Sequence, residues 1–177
     1  MKKFLMLFCL FSVSLTFAQQ LDFVDFKRVE ALVVFNQFAV DSTVYNSYEV
    51  DFKIKSATDS VYLDAVGMRF KHVALNNTAV TYKNDGKHLI IYKDFKSNEL
   101  HTLSFVFFSA PKKAMYFLGW ENEAKNQIWT QGQGKYTSNW LPSIDDVNDK
   151  IEFDLSFVAP NGYDVISNGK LTSKTES

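Results

Sequence analysis

Between Asn46 and Lys55 the chain reads NSYEVDFKIK, in which Tyr48, Val50, Phe52 and Ile54 alternate with Glu49, Asp51, Lys53 and Lys55. A period of two sends these sets to opposite faces, so the segment predicts a strand buried on one side. The alternation returns in SVYLDA (60–65), from Ala79 to Lys83, in HLIIYK (88–93), in HTLSFVFF (101–108) and in KIEFDLSF (150–157). Turn clusters such as Asn84-Asp85-Gly86 and Ser167-Asn168-Gly169 separate the runs. This spacing predicts about nine strands, and no segment carries a convincing helical period. The expected class is all-β, a twisted β-sandwich or saddle of mostly antiparallel strands. Asn84-Asp85-Gly86 is expected to close a hairpin through a type I′ turn, whose positive φ angles that tripeptide can supply.

Composition agrees. Seventeen Phe, eight Tyr and three Trp stand against seven Gly and three Pro, a balance that favours strands. There are no repeats, low-complexity tracts or linkers, and residues 19–177 have the size of one domain with its own core.

The first residues change the picture of where the protein works. Lys2 and Lys3 precede the apolar run FLMLFCLFSVSLTF, and Thr16-Phe17-Ala18 offers small residues at cleavage positions. This is the pattern of a signal peptide over residues 1–18, with a mature start near Gln19 and a periplasmic or secreted destination. No later stretch reaches the roughly 18 apolar residues of a membrane span, so no membrane anchor is expected. The single cysteine, Cys9, lies in the leader, and Leu7 and Phe8 before it do not suit lipoprotein processing. The mature chain is therefore expected to have no disulfide and no thiolate metal ligand. Loss of the two leader lysines takes the formal net charge from −1 to −3. Acids and bases are interspersed, which argues against a nucleic-acid partner.

Candidate chemistry is sparse. His72, His88 and His101 each sit in an alternating segment, none within H-E-x-x-H, and they read as strand histidines facing solvent or packed on aromatics. No G-x-S-x-G setting supports a serine nucleophile, and Gly132-Gln133-Gly134 lacks the third glycine and the helix of a phosphate loop. The unusual stretch is WTQGQGKYTSNWLPSIDD, Trp129 to Asp146. Two glutamines at i and i+2 of an extended segment point the same way, so the Gln131 and Gln133 amide oxygens can converge on one small donor, such as a primary ammonium group. On spacing alone they can equally be polar residues on the wet face of a strand.

The same stretch carries a family resemblance. Thr130-Gln131-Gly132-Gln133, Trp140-Leu141-Pro142, Asp145, the strand from Phe153 to Pro160 and the turn from Tyr163 to Gly169 follow in the order seen in the N-terminal domain of the aminopeptidase N and leukotriene hydrolase family of zinc metallopeptidases. SYEVDFKIKSATDSVYLDAVGMRFKHVALNN, NDGKHLIIY and AMYFLGW fall where that domain's early strands would be. The chain departs from the family at Gly134-Lys135, Ser143 and Val147.

The resemblance implies a substrate-binding role for Gln131, at the first specificity pocket, and for Gln133, at the free α-amine of the peptide. Asp145 is expected to be a structural carboxylate organising this corner. The family's zinc ligands and general base follow in a catalytic domain of the same polypeptide. The chain is accordingly expected to be the N-terminal domain of an exported zinc aminopeptidase that removes N-terminal residues from peptides, incomplete at its C-terminus. By itself it should bind no zinc and be inactive. The alternative is a stand-alone secreted β-sandwich that binds carbohydrate or protein through Trp120, Trp129 and Trp140, whose rival reading is burial in the core.

Overall fold

A computed structural model describes residues 19–35, 44–119 and 125–175. The expected leader and Trp120 lie outside the described residues. After a short turn of helix, α1 (Gln20–Phe23), the described residues form eleven strands: β1 (Val24–Val34), β2 (Val44–Ile54), β3 (Thr58–Asp64), β4 (Arg69–Leu75), β5 (Thr78–Ala79), β6 (Tyr82–Asn84), β7 (His88–Phe95), β8 (Leu100–Ser109), β9 (Met115–Leu118), β10 (Gln127–Thr130) and β11 (Glu152–Val158). Six of them form one sheet in the order β11-β1-β2-β8-β4-β5, three form a second in the order β3-β7-β6, and β9 pairs with β10 as a hairpin. Among the described residues only the β1–β11 pairing is parallel. The expected all-β, mostly antiparallel sandwich is the observed class.

The core follows the period of two. Tyr48, Val50, Phe52 and Ile54 of β2 are buried, and so are Leu103, Phe105 and Phe107 of β8. They join Val61 and Leu63 of β3 and Leu89 and Ile91 of β7 in one apolar cluster. Phe52 of the large sheet meets Phe95 of the small one with ring centroids 6.1 Å apart.

Four local features differ from the sequence expectation. Strand β1 escapes a period-two reading because its alternation changes phase: Val24 and Phe26 are buried, then Val29, Ala31 and Val33. A bulge between Phe26 and Arg28 in the pairing with β2 inserts Lys27 and flips the inward parity. The run from Ala79 to Lys83 is not one strand; β5 and β6 belong to different sheets, and the chain crosses between them. The Asn84-Asp85-Gly86 hairpin forms, but positive φ is confined to Gly86, at +85°, so its turn is not type I′. Asn84 Oδ1 accepts the Gly86 N–H, and Asp85 Oδ1 accepts those of Lys87 and His88, so side-chain bonds shape the turn instead. Residues 159–175 contain no strand, so Ser167-Asn168-Gly169 separates no two strands among the described residues.

Candidate functional site

Strand β10 ends at Thr130, where the Gln131 N–H donates to the Ala114 carbonyl at 2.8 Å. Residues 133–135 then turn, with Gly134 at φ +78°. The strand does not continue through Gln133, so the same-side argument for Gln131 and Gln133 does not carry over from an ideal extended segment. Both residues are exposed and stand on either side of Gly132 at the start of this loop. Gly132 is there for close approach: a Cβ on it would lie 2.6 Å from Thr137 Oγ1. Thr137 begins a 3-10 turn, Thr137–Asn139, that packs under the loop.

That turn and the segment after it are tied to four parts of the domain. Val66 N–H donates to the Ser138 carbonyl at 2.8 Å, Ser109 Oγ to the Trp140 carbonyl at 3.2 Å, and Tyr48 Oη to the Pro142 carbonyl at 2.7 Å. Asp64 and Ser143 exchange two backbone bonds in an isolated antiparallel bridge. Asp145 closes the arrangement. Its Oδ2 accepts the Ser138 hydroxyl at 2.5 Å, its Oδ1 accepts the Ser143 hydroxyl at 3.0 Å, and its N–H donates to Asp64 Oδ2 at 2.8 Å. The carboxylate expected to organise this corner does so.

Asp64 feels this setting. Burial raises its pKa above the ordinary carboxylate value and the nearby Asp145 charge adds to the rise, against the Asp145 N–H bond and the positive side chains, which lower it. His88 Nε2 lies 3.5 Å from Asp64 Oδ1, and Nδ1 lies 2.9 Å from Asp85 Oδ2. The bond to His88 and the backbone donors of the turn hold the Asp85 carboxyl well below its usual range.

The other histidines fit the reading from sequence. His72 is exposed at a bulge in β4. His101 is buried, with ring centroids 5.5 Å from Phe52 and 5.1 Å from Phe95. Asn76 Oδ1 accepts the Thr102 N–H, so Asn76 Nδ2 faces His101 Nδ1, which must accept; His101 Nε2 then carries the proton and donates to Glu99 at 3.0 Å. Among the described residues no group of three or more His, Cys, Asp or Glu side chains could hold a metal ion.

The tryptophans divide. Trp140 is buried in the core, as its rival reading has it. Trp129 is not: it is 42% exposed and stacks on Tyr116, its cross-strand partner, at 4.4 Å. A cleft of about 860 Å³ opens beside this hairpin, with Ile128, Trp129, Gly132, Phe157 and Val165 among its walls, while Gln131 and Gln133 lie outside it. Sequence reasoning missed Tyr48, Asp64 and Ser138 as supports of the glutamine loop. Tyr48 lies 94 residues from Pro142 and Asp64 lies 81 from Asp145, so no local pattern announces either contact.

The family model of the peptidase M1 N-terminal domain matches residues 26–177. A protein described as probable aminopeptidase 1 of Sulfurisphaera tokodaii is 29% identical over 150 residues, which cover 85% of this chain and 18% of that protein. The M1 zinc metallopeptidase of Deinococcus radiodurans superposes with a TM-score of 0.75 at 16% identity, over 88% of this chain and 37% of its own. Native leukotriene A4 hydrolase of Saccharomyces cerevisiae does so with a TM-score of 0.66 at 16% identity, over 84% of this chain and 26% of its own. At such identities the structural likeness is one of fold.

Proposed function

The chain belongs to the peptidase M1 N-terminal domain family, and on that premise we propose that it is the substrate-anchoring domain of an exported, zinc-dependent aminopeptidase. The observation that carries this reading is the Gln131-Gly132-Gln133 loop, exposed at its two amides and held from below by the Ala114 carbonyl and the Thr137 turn. An amide oxygen accepts from the ammonium at a peptide's N-terminus, and a neutral acceptor holds it less strongly than a carboxylate does. Two such acceptors on a fixed loop select a chain terminus and orient it. Zinc supplies the hydrolytic chemistry in this family; here it would be held by the catalytic domain of the same polypeptide, since the described residues offer it no site.

The test is Gln133→Ala in the polypeptide encoded by the whole gene. Loss of one hydrogen bond to a charged group is worth about 1.5 kcal/mol, so KM for aminoacyl anilides should rise about tenfold with kcat little changed. Unchanged kinetic constants would rule the anchoring role out. Export is read separately: N-terminal sequencing of the mature protein should start near Gln19, and a product beginning at Met1 would exclude it.

A second reading rests on the exposed Trp129–Tyr116 stack, aromatic surface of the kind that meets a sugar ring or a protein partner. Glycan-array binding that vanishes in Trp129→Ala would favour it, and silence across a broad array would count against it.

A further inference from the structure

Resting on that anchoring reading, we propose that Asp145 is the positioning residue for Gln131 and Gln133, acting through the Thr137–Asn139 turn. No hydrogen bond joins Asp145 to either glutamine among the described residues; its reach is indirect. The carboxylate takes the Ser138 hydroxyl on one oxygen and the Ser143 hydroxyl on the other. Its own N–H is held by Asp64, and the Ser138 carbonyl is held by Val66. The segment from Ser138 to Asp145 is thus a closed ring of bonds anchored on β3 and on the loop that follows it. Thr137, the residue before this ring, is the one that Gly132 rests against, closely enough to leave no room for a Cβ. Gly132 is the covalent link between the two glutamines, so the position of the turn is the position of the pair. On the other side Gln131 is pinned by its N–H to Ala114. Without the carboxylate, Ser138 and Ser143 lose their acceptor, and the turn keeps its backbone bonds and the Asn139 side-chain bond to the Tyr136 carbonyl, neither of which ties it to the Ser143–Asp145 segment. One wall of the loop is then free to shift, and a displacement on the order of 1 Å at a binding group is enough to matter for reaction geometry.

The experiment is a mutant cycle in the complete polypeptide with amide hydrogen exchange alongside. Asp145→Ala should raise KM for aminoacyl anilides severalfold with kcat retained, and should speed exchange at Gln131 to Gly134 while the β2 and β8 amides stay protected. Asp145→Asn, which keeps one acceptor oxygen, should recover most of both effects. In a background carrying both Gln131→Ala and Gln133→Ala, Asp145→Ala should add nothing further to KM, because both groups being positioned are gone. Additive effects, or unchanged exchange at the loop, would overturn the positioning role. If Gln133→Ala alone leaves KM unchanged, the anchoring reading falls and the positioning role, which rests on it, falls with it. If Asp145→Ala fails to fold, Ser138→Ala removes one of the two hydroxyls and must show the same loop exchange in milder form; normal protection there would sink the idea.

Discussion

The phenolic hydroxyl of Tyr48 donates to the carbonyl of Pro142 at 2.7 Å in a buried setting, joining the middle of the large sheet to the segment that supports the glutamine loop. Burial pushes the Tyr48 pKa far above its ordinary value, so the phenol remains a donor at any working pH. Tyr48→Phe keeps the stack on Phe105, whose ring centroid is 5.0 Å away, and deletes only the donor. A buried carbonyl left without its partner costs about 1–3 kcal/mol, and urea denaturation of the variant should show a loss in that range.

Asn46 is a core residue of the wrong polarity. It is fully buried on β2, opposite Val33 of β1 and Phe107 of β8, and neither its Oδ1 nor its Nδ2 has a hydrogen-bond partner among the described residues. An amide buried in this way costs about 1–3 kcal/mol on mutational scales. Asn46→Val, which fits the space and leaves no polar atom, should therefore raise the unfolding midpoint, and a lowered one, repeated in Asn46→Ala, would mean that the amide is satisfied in solution.

The carboxylates near His88 and His101 pull the pH dependence of stability in opposite directions. Asp85 is held below its usual pKa, first by its bond to His88, and Glu99 below its own, first by the Lys96 N–H and then by His101. Their contributions are present above about pH 4 and are lost as acid protonates them. Asp64 has the opposite sign: burial raises its folded pKa, so the native state binds the proton more tightly. Its contribution is complete below about pH 4 and disappears as pH rises through the folded value. Asp64→Asn keeps an acceptor for the Asp145 N–H and removes the half-buried charge. The difference in stability between variant and wild type should move in the variant's favour between pH 3 and pH 7. Asp85→Asn should move the other way, and denaturation curves across that range check both.

Gly132 is constrained by space and not by backbone angle. In Gly132→Ala the new methyl meets Thr137 Oγ1, and either Thr137 leaves its rotamer or the loop lifts, at about 1 kcal/mol. Thr137→Ala in the same chain removes the colliding oxygen and should recover most of that loss. A double variant no more stable than Gly132→Ala would place the strain elsewhere.

What could be read in advance follows from what is local. The burial of β2 and β8 is written in their alternation, because the pleat alone decides which side chains share a face, and the all-β class follows from many such segments. Where one residue is added, as at the Phe26/Arg28 bulge, the rule inverts, and only pairing with β2 reveals the phase. The Asn84-Asp85-Gly86 sequence specifies a turn but not its type, because Asx side chains compete with the backbone for the same donors. The glutamine pair stands out by composition and by family likeness, yet its conformation does not, since the strand ends at Thr130 and Gly134 turns the chain.

By itself, then, the sequence determined the class of fold and the faces of its long strands, and it set the stretch from Trp129 to Asp146 apart by composition. The tertiary structure alone decided what holds that stretch in place. Tyr48, Asp64 and Val66 reach Pro142, Asp145 and Ser138 across long loops of chain, and such contacts exist only once the two sheets have packed. Periodicity reports how a residue relates to its near neighbours; the closing of long loops depends on the packing of the whole core.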